Sequence, residues 1–140
     1  MIVLDSDIVT LLSYGQTDRL QRRIASVQGS EELTATIITR MEILRGRFDG
    51  ILKAANEDEL LKAMDRFRAS RELLNSFHLL EINDAAGQHF KQMMKAKKRP
   101  KRRGDLLIAC ISLAHNALLV TRNVKDYKDV PGLRMENWAD

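Results

Sequence analysis

Ile2, Val3 and Leu4 form an unbroken apolar run rich in β-branched residues, the pattern of a strand buried on both faces of a parallel sheet. The run stops at Asp5-Ser6-Asp7, and Ile8, Val9, Leu11 and Leu12 then predict a helix that Gly15 breaks. Thr17-Asp18 is a cap for a second helix with the stripe Leu20, Ile24 and Val27, closed by Gly29-Ser30. Leu33 to Thr36 predicts a second strand. From Ile37 the period becomes helical, with Ile37, Met41, Leu44, Phe48 and Leu52 on the stripe and Glu42 and Arg45 off it.

Glu57-Asp58 places two acids at the start of a second long helical pattern, whose face carries Leu60, Met64, Phe67, Leu74 and Phe77. These two helices are expected to pair, with apolar surface left over for another chain. Phe77 to Ile82 predicts a third strand, and Asn83 or Asp84 caps a helix running to about Lys98. Asp105 opens a strongly apolar helix through Ala114, Leu118 to Thr121 predicts a fourth strand, and a polar turn follows over Arg122 to Asp126. Leu133 to Trp138 predicts a short last strand. Helices alternating with short buried strands give an α/β sandwich with a mainly parallel sheet.

The chain has 140 residues, 44% of them hydrophobic, which suits a single domain over residues 1–140. No apolar run is long enough to span a bilayer, and the strand begins directly after Met1, so no membrane association and a cytoplasmic location are expected. The one cysteine, Cys110, lies in the apolar run Ile108 to Ile111, which predicts a small core residue rather than a reactive thiol. His78, His89 and His115 are scattered and offer no zinc-type cluster.

Net charge is +4, but its distribution says more. Lys95, Lys97, Lys98, Arg99, Lys101, Arg102 and Arg103 place seven basic residues in nine positions without an acid, while the rest of the chain holds 16 basic against 19 acidic residues. A local patch of this kind can bind phosphates; a solvated loop is the plainer alternative.

The acids take on meaning when placed on the predicted elements. Asp5 ends the first strand, Glu42 lies one turn into the helix after the second, Asp105 starts the apolar helix, and Asp126 follows the fourth strand. With parallel strands all four fall at one sheet edge, where open α/β sheets bind ligands. Crowded carboxylates repel unless a cation neutralises them, and oxygen donors without cysteine or histidine suit Mg²⁺ or Mn²⁺. Such an ion can promote hydrolysis of a phosphodiester. Taken one at a time, the acids also fit ordinary roles: Asp5, Ser6, Asp7 and Asp105 as helix caps, Glu42 as a solvated residue, and Asp126 as a turn residue.

Four segments carry a resemblance: Leu4 to Asp7, Ile38 to Gly46, Gly104 to Ala109 and Val120 to Tyr127. In order and spacing they are similar to the signature segments of PIN-domain nucleases, and with Pro131 to Trp138 they resemble the VapC toxins of bacterial and archaeal toxin–antitoxin pairs. The resemblance runs the length of the chain and implies a PIN-like three-layer α/β/α sandwich and a metal-dependent endoribonuclease. It implies Asp5 and Asp105 as metal ligands and Glu42 as a third acid that helps orient the attacking water. Asp126 matches a variant position of the fourth acid, where many family members instead carry an aspartate at the place of Asn123. Thr39 and Thr121 match hydroxyl residues of the site. Ser6 stands where Thr is usual, and Tyr127 where Phe is usual.

The expected substrate is RNA, contacted by Thr39, Lys97, Lys98, Lys101, Arg102, Thr121 and Asn123. The resemblance further implies a homodimer and an antitoxin, a small DNA-binding protein encoded nearby. Two other functions fit fewer residues: a nucleic-acid-binding regulatory module, and an RNA-maturation nuclease without an antitoxin. A pure phosphate binder gains nothing from four carboxylates that repel its ligand.

Overall fold

The computed structural model describes residues 1–15 and 18–140, so the cap expected at Thr17 lies outside the described residues. The chain runs β1 (Ile2–Leu4), α1 (Ser6–Tyr14), α2 (Asp18–Val27), β2 (Leu33–Thr36), α3 (Ile37–Leu52) and α4 (Glu57–Asn75). It continues with β3 (His78–Leu80), α5 (Asp84–Lys95), α6 (Arg103–Ala114), β4 (Leu118–Val120), a 3₁₀ turn (Val124–Tyr127) and β5 (Arg134–Glu136). The strands form one sheet in the order β3-β2-β1-β4-β5, and every pairing is parallel.

From β1 the chain steps outward to β2 and β3, then returns to the other side of β1 for β4. The strand order therefore reverses between β1 and β4, and the crevice beyond their carboxyl ends is the natural place for a ligand. The residues found there are Asp5 and Thr121.

Side chains alternate across the sheet and feed two cores. Val3 and Leu119 pack with Met93, Leu106, Ile108 and Ile111 of α5 and α6. Ile2, Leu4, Ala35 and Val120 pack with Ile8, Val9, Leu20, Leu74 and Trp138 on the opposite face. This gives the expected three layers, and it explains why β1 reads as apolar at every position. Cys110 is buried and unpaired, and burial pushes its thiol up to about 11, away from reactivity at neutral pH. No helix among the described residues is long and apolar enough to cross a membrane.

Three expectations shift. The stripe assigned to α3 faces inward only in part: Leu44 packs on the core, but Met41, Phe48 and Leu52 are exposed, and off-stripe Thr39 is buried and Ile43 packs on the core in their place. The cause is the helix start, where Thr36 caps the backbone N–H of Thr39 at 3.1 Å and turns a polar face toward the sheet edge. On α4, Leu60 is likewise exposed, and Ala63, Ser70 and Leu74 are the buried residues. Second, α5 stops at Lys95 rather than near Lys98. Arg99 Nη1 donates to the carbonyls of Met94 (3.1 Å) and Ala96 (3.0 Å), closing the helix, and Pro100 keeps Arg99 out of helical backbone. Third, α6 begins at Arg103, so Asp105 sits inside its first turn and is not the cap.

Candidate active site

Asp5 lies where β1 passes into α1 and is 5% exposed. Its two oxygens do different work. Oδ1 caps α1 by accepting from the Ser6 N–H at 2.8 Å, while Oδ2 accepts from the Thr121 hydroxyl (2.8 Å) and the Tyr127 hydroxyl (3.0 Å). Capping and site roles thus share one carboxylate. The Tyr127 hydroxyl also reaches Asp105 Oδ1 at 3.4 Å, so a single buried phenol touches both acids. Burial and the adjoining carboxylates keep that phenol protonated.

Glu42, one turn into α3, accepts from Ser6 Oγ at 3.2 Å, and Ser6 Oγ stands 2.9 Å from Thr39 Oγ1. Burial raises the Glu42 carboxyl above its usual range, with repulsion from Asp5 and Asp105 adding and the Ser6 hydrogen bond and the Arg102 charge opposing. Asp105 is raised for the same reasons, burial first and Asp5 next, with Arg102 again opposing. Three acids on three elements therefore feel one another, with Arg102 as the local countercharge. Gly104 is part of this packing: a Cβ there would lie 3.4 Å from Glu42 Oε1, so glycine keeps space open beside the carboxylate.

Asp126 is exposed and contributes its charge to Asp105 from across a cleft of about 310 Å³. That cleft is lined by Asp105, Asp126 and Asp129 and by Arg99, Lys101, Arg102, Lys125 and Lys128. Lys101 and Arg102 belong to the basic run, whereas Lys97 and Lys98 are exposed and do not line it. Lys125 and Lys128 form the opposing wall. Sequence reading passed over them because they alternate with acids; their i, i+3 spacing along a 3₁₀ turn puts both on one side.

Thr39 and Thr121 are fully buried, so they orient Ser6 and Asp5 rather than face a substrate. Asn123 is exposed, but its polar groups are engaged by the protein. Its Nδ2 donates to Asp7 Oδ2 at 2.9 Å, and its backbone N–H donates to Thr121 Oγ1 at 3.0 Å.

Asp7, read from sequence only as a possible cap, is the least satisfied acid of the group. Oδ2 accepts from the Arg122 N–H (3.1 Å) and from Asn123, while buried Oδ1 has no partner among the described residues. Burial, then repulsion from Asp5, pushes its carboxyl up to about 6. A carboxyl with a higher pKa when folded binds its proton more tightly in the native state, so its cost to stability is absent below about pH 4 and complete above about pH 6. Asp7→Asn is therefore expected to melt higher than the wild-type protein at pH 7 to 8 in EDTA, with the gap closing toward pH 4. A melting difference independent of pH would contradict this.

The donors fit a hard divalent cation: three oxygen-bearing groups with mutual repulsion, and open space at Gly104. Among the described residues no three or more Asp, Glu, His or Cys side chains are gathered closely enough to hold a metal ion together. An ion held by one or two carboxylates plus water suits this arrangement better than a fully protein-ligated one.

A family model for the PIN domain matches residues 2–133. The chain is 25% identical over 140 residues to Ribonuclease VapC1 of Haemophilus influenzae strain R2866, covering 98% of this chain and 97% of the relative. Among solved structures, VapBC-1 from nontypeable Haemophilus influenzae superposes with a TM-score of 0.81 at 26% identity, covering all of both chains. VapBC2 from Rickettsia felis, solved with a promoter DNA fragment, superposes at 0.78 with 20% identity over 99% of each chain, a likeness of fold.

Proposed function

Since this chain belongs to the PIN-domain family, we propose that it is a divalent-metal-dependent endoribonuclease, the toxin of a toxin–antitoxin pair. The observation that carries the reading is the junction of Asp5, Glu42 and Asp105 at the reversal point of the sheet, beside a cleft rimmed with cations. The similarity over full length to a protein named Ribonuclease VapC1 supplies the substrate class.

Asp5 and Asp105 would hold Mg²⁺ or Mn²⁺, which supplies Lewis acidity toward the scissile phosphodiester when bound. The chain's own groups do the rest. Thr121 and Tyr127 fix Oδ2 of Asp5, and Ser6 fixes Glu42 through Oε1. Glu42, with its raised proton affinity, accepts the proton of the attacking water. Arg102, Lys101, Lys125 and Lys128 hold the strand by its phosphates, and Asp126 adds charge at the rim.

The exposed apolar residues Met41, Phe48 and Leu52 on α3 and Leu60 and Leu61 on α4 supply the surface for a second copy and for the antitoxin. The superposed solved structures are of VapBC-1 and VapBC2, the latter bound to promoter DNA.

The purified protein is expected to cut single-stranded RNA with Mg²⁺ or Mn²⁺ and to stop completely in excess EDTA. Expressed alone it should arrest growth, and co-expression of the adjacent small gene should restore it. Cleavage that persists without divalent ions would overturn the metal role; unaffected growth at high levels of soluble, RNA-cleaving protein would overturn the toxin role.

A further inference from the structure

Besides the cation-rimmed cleft, the acids border a second cavity, and Arg102 lines both. This cavity measures about 380 Å³ and lies between α1 and α3, with Glu42 and Asp7 at its inner end and Tyr14 and Arg47 on its outer wall. Tyr14 ends α1 and is 53% exposed, an uncommon setting for an aromatic ring. The Arg47 guanidinium carbon stands 5.8 Å from the centre of that ring. It is not a loose side chain: Arg47 Nε donates to Ser70 Oγ at 2.9 Å, and Ser70 on α4 is 3% exposed. A buried hydroxyl thus holds a guanidinium against an open aromatic ring, and the ring keeps room for another stacking partner.

The charges of the two cavities differ. The first sets Arg99, Lys101, Arg102, Lys125 and Lys128 against Asp105, Asp126 and Asp129, five basic groups to three acidic, whereas the second balances Arg47 and Arg102 against Asp7 and Glu42, two to two. A run of phosphates is favoured in the first and not in the second, while a neutral planar group is favoured in the second.

We infer that the Tyr14–Arg47 wall is a nucleobase subsite, which stacks an unpaired base of the RNA next to the bond being cut while the following phosphates lie in the cationic cleft. The inference rests on the ribonuclease reading and narrows it. A base inside an A-form duplex has no free face, so the nucleotide seated here must be unpaired, in a single strand, loop or bulge.

The test uses the full chain and a short single-stranded oligoribonucleotide containing a bond that the wild-type protein cuts. A second oligonucleotide has an abasic residue at the nucleotide flanking that bond, tried on each side. Tyr14→Ala is expected to lower kcat/KM by about 5- to 150-fold, the range for loss of one stacked base, and Tyr14→Phe to stay near wild type. On one of the abasic oligonucleotides the wild-type protein should lose a similar factor, with Tyr14→Ala costing nothing more. Unchanged kcat/KM in Tyr14→Ala, or equal losses on intact and abasic RNA, overturns the subsite and leaves Tyr14 to a protein partner. If the wild-type protein binds the oligonucleotide without cutting it, the ribonuclease reading falls while the same comparison is read in Kd. A loss of affinity in Tyr14→Ala on the intact strand that vanishes on the abasic strand then still supports the subsite, and an equal loss on both strands, or none on either, overturns it.

Discussion

Asp105→Asn is expected to lower RNA cleavage by about 10³-fold, the scale of several kcal/mol of charge stabilisation at 1.36 kcal/mol per decade. The structure makes this the cleanest single change at the site. Asp105 is partly exposed, and among the described residues its one side-chain hydrogen bond comes from the Tyr127 hydroxyl at 3.4 Å. An amide of the same shape can keep that contact but cannot supply the negative charge. Removing one of three repelling carboxylates also favours the fold, so the melting temperature in EDTA should equal or slightly exceed that of the wild-type protein. Asp5→Asn should abolish cleavage and, unlike Asp105→Asn, lower the melting temperature, because either orientation of its amide sets the new NH₂ against a group that now donates to Asp5, the Ser6 N–H or the Thr121 and Tyr127 hydroxyls. Asp126→Asn should be milder than either because that side chain is exposed at the rim. A well-folded Asp105→Asn protein cutting RNA at the wild-type rate would remove Asp105 from the metal site.

The parts of the fold that sequence made legible are those where local pattern and burial agree. Ile2 to Leu4 is apolar throughout because β1 has neighbours on both edges and a core on both faces. The placement of Asp5, Glu42 and Asp105 follows from parallel strands alone, since each then ends at the same edge. Helix α3 departs from its apolar stripe, keeping only Leu44 of it on the core, because apolar spacing reports a helix's core face only when that face is apolar. Here Thr39 and Glu42 point into the polar site, and Met41, Phe48 and Leu52 point to solvent. Tyr127 was placed only by resemblance, where Phe is usual, and its hydroxyl proves to bond Asp5, a contact across 122 positions that no local pattern encodes. Tyr14, Arg47 and Ser70 come together from three helices, and neither their spacing nor their residue types single them out.

The last strand is where stability and site meet. Trp138 is 2% exposed in the core with Leu20 and Leu74, and its Nε1 donates to Glu136 Oε2 at 2.6 Å. Arg23 of α2 places its guanidinium carbon 5.1 Å from the ring centre and Nη2 2.8 Å from the same Glu136 oxygen. β5 in turn pairs with β4, and the Glu136 carbonyl accepts from the Thr121 N–H at 3.0 Å. Thr121 is the residue that holds Asp5, so the ring anchors a strand one step removed from the acids. Two contributions are entangled here, the buried ring and the surface ion pair, and their magnitudes separate them. Trp138→Ala is expected to cost about 3–5 kcal/mol, as large-to-small core changes do, which for a chain of this length is a fall in Tm of about 6–20 °C. The Arg23–Glu136 pair is nearly half exposed on both sides, so Arg23→Ala should cost under about 1 kcal/mol. Urea unfolding of both variants decides the matter. A midpoint for Trp138→Ala well below that of Arg23→Ala at equal m-value shows that the ring secures the strand, whereas coincident midpoints would assign that role to the ion pair instead.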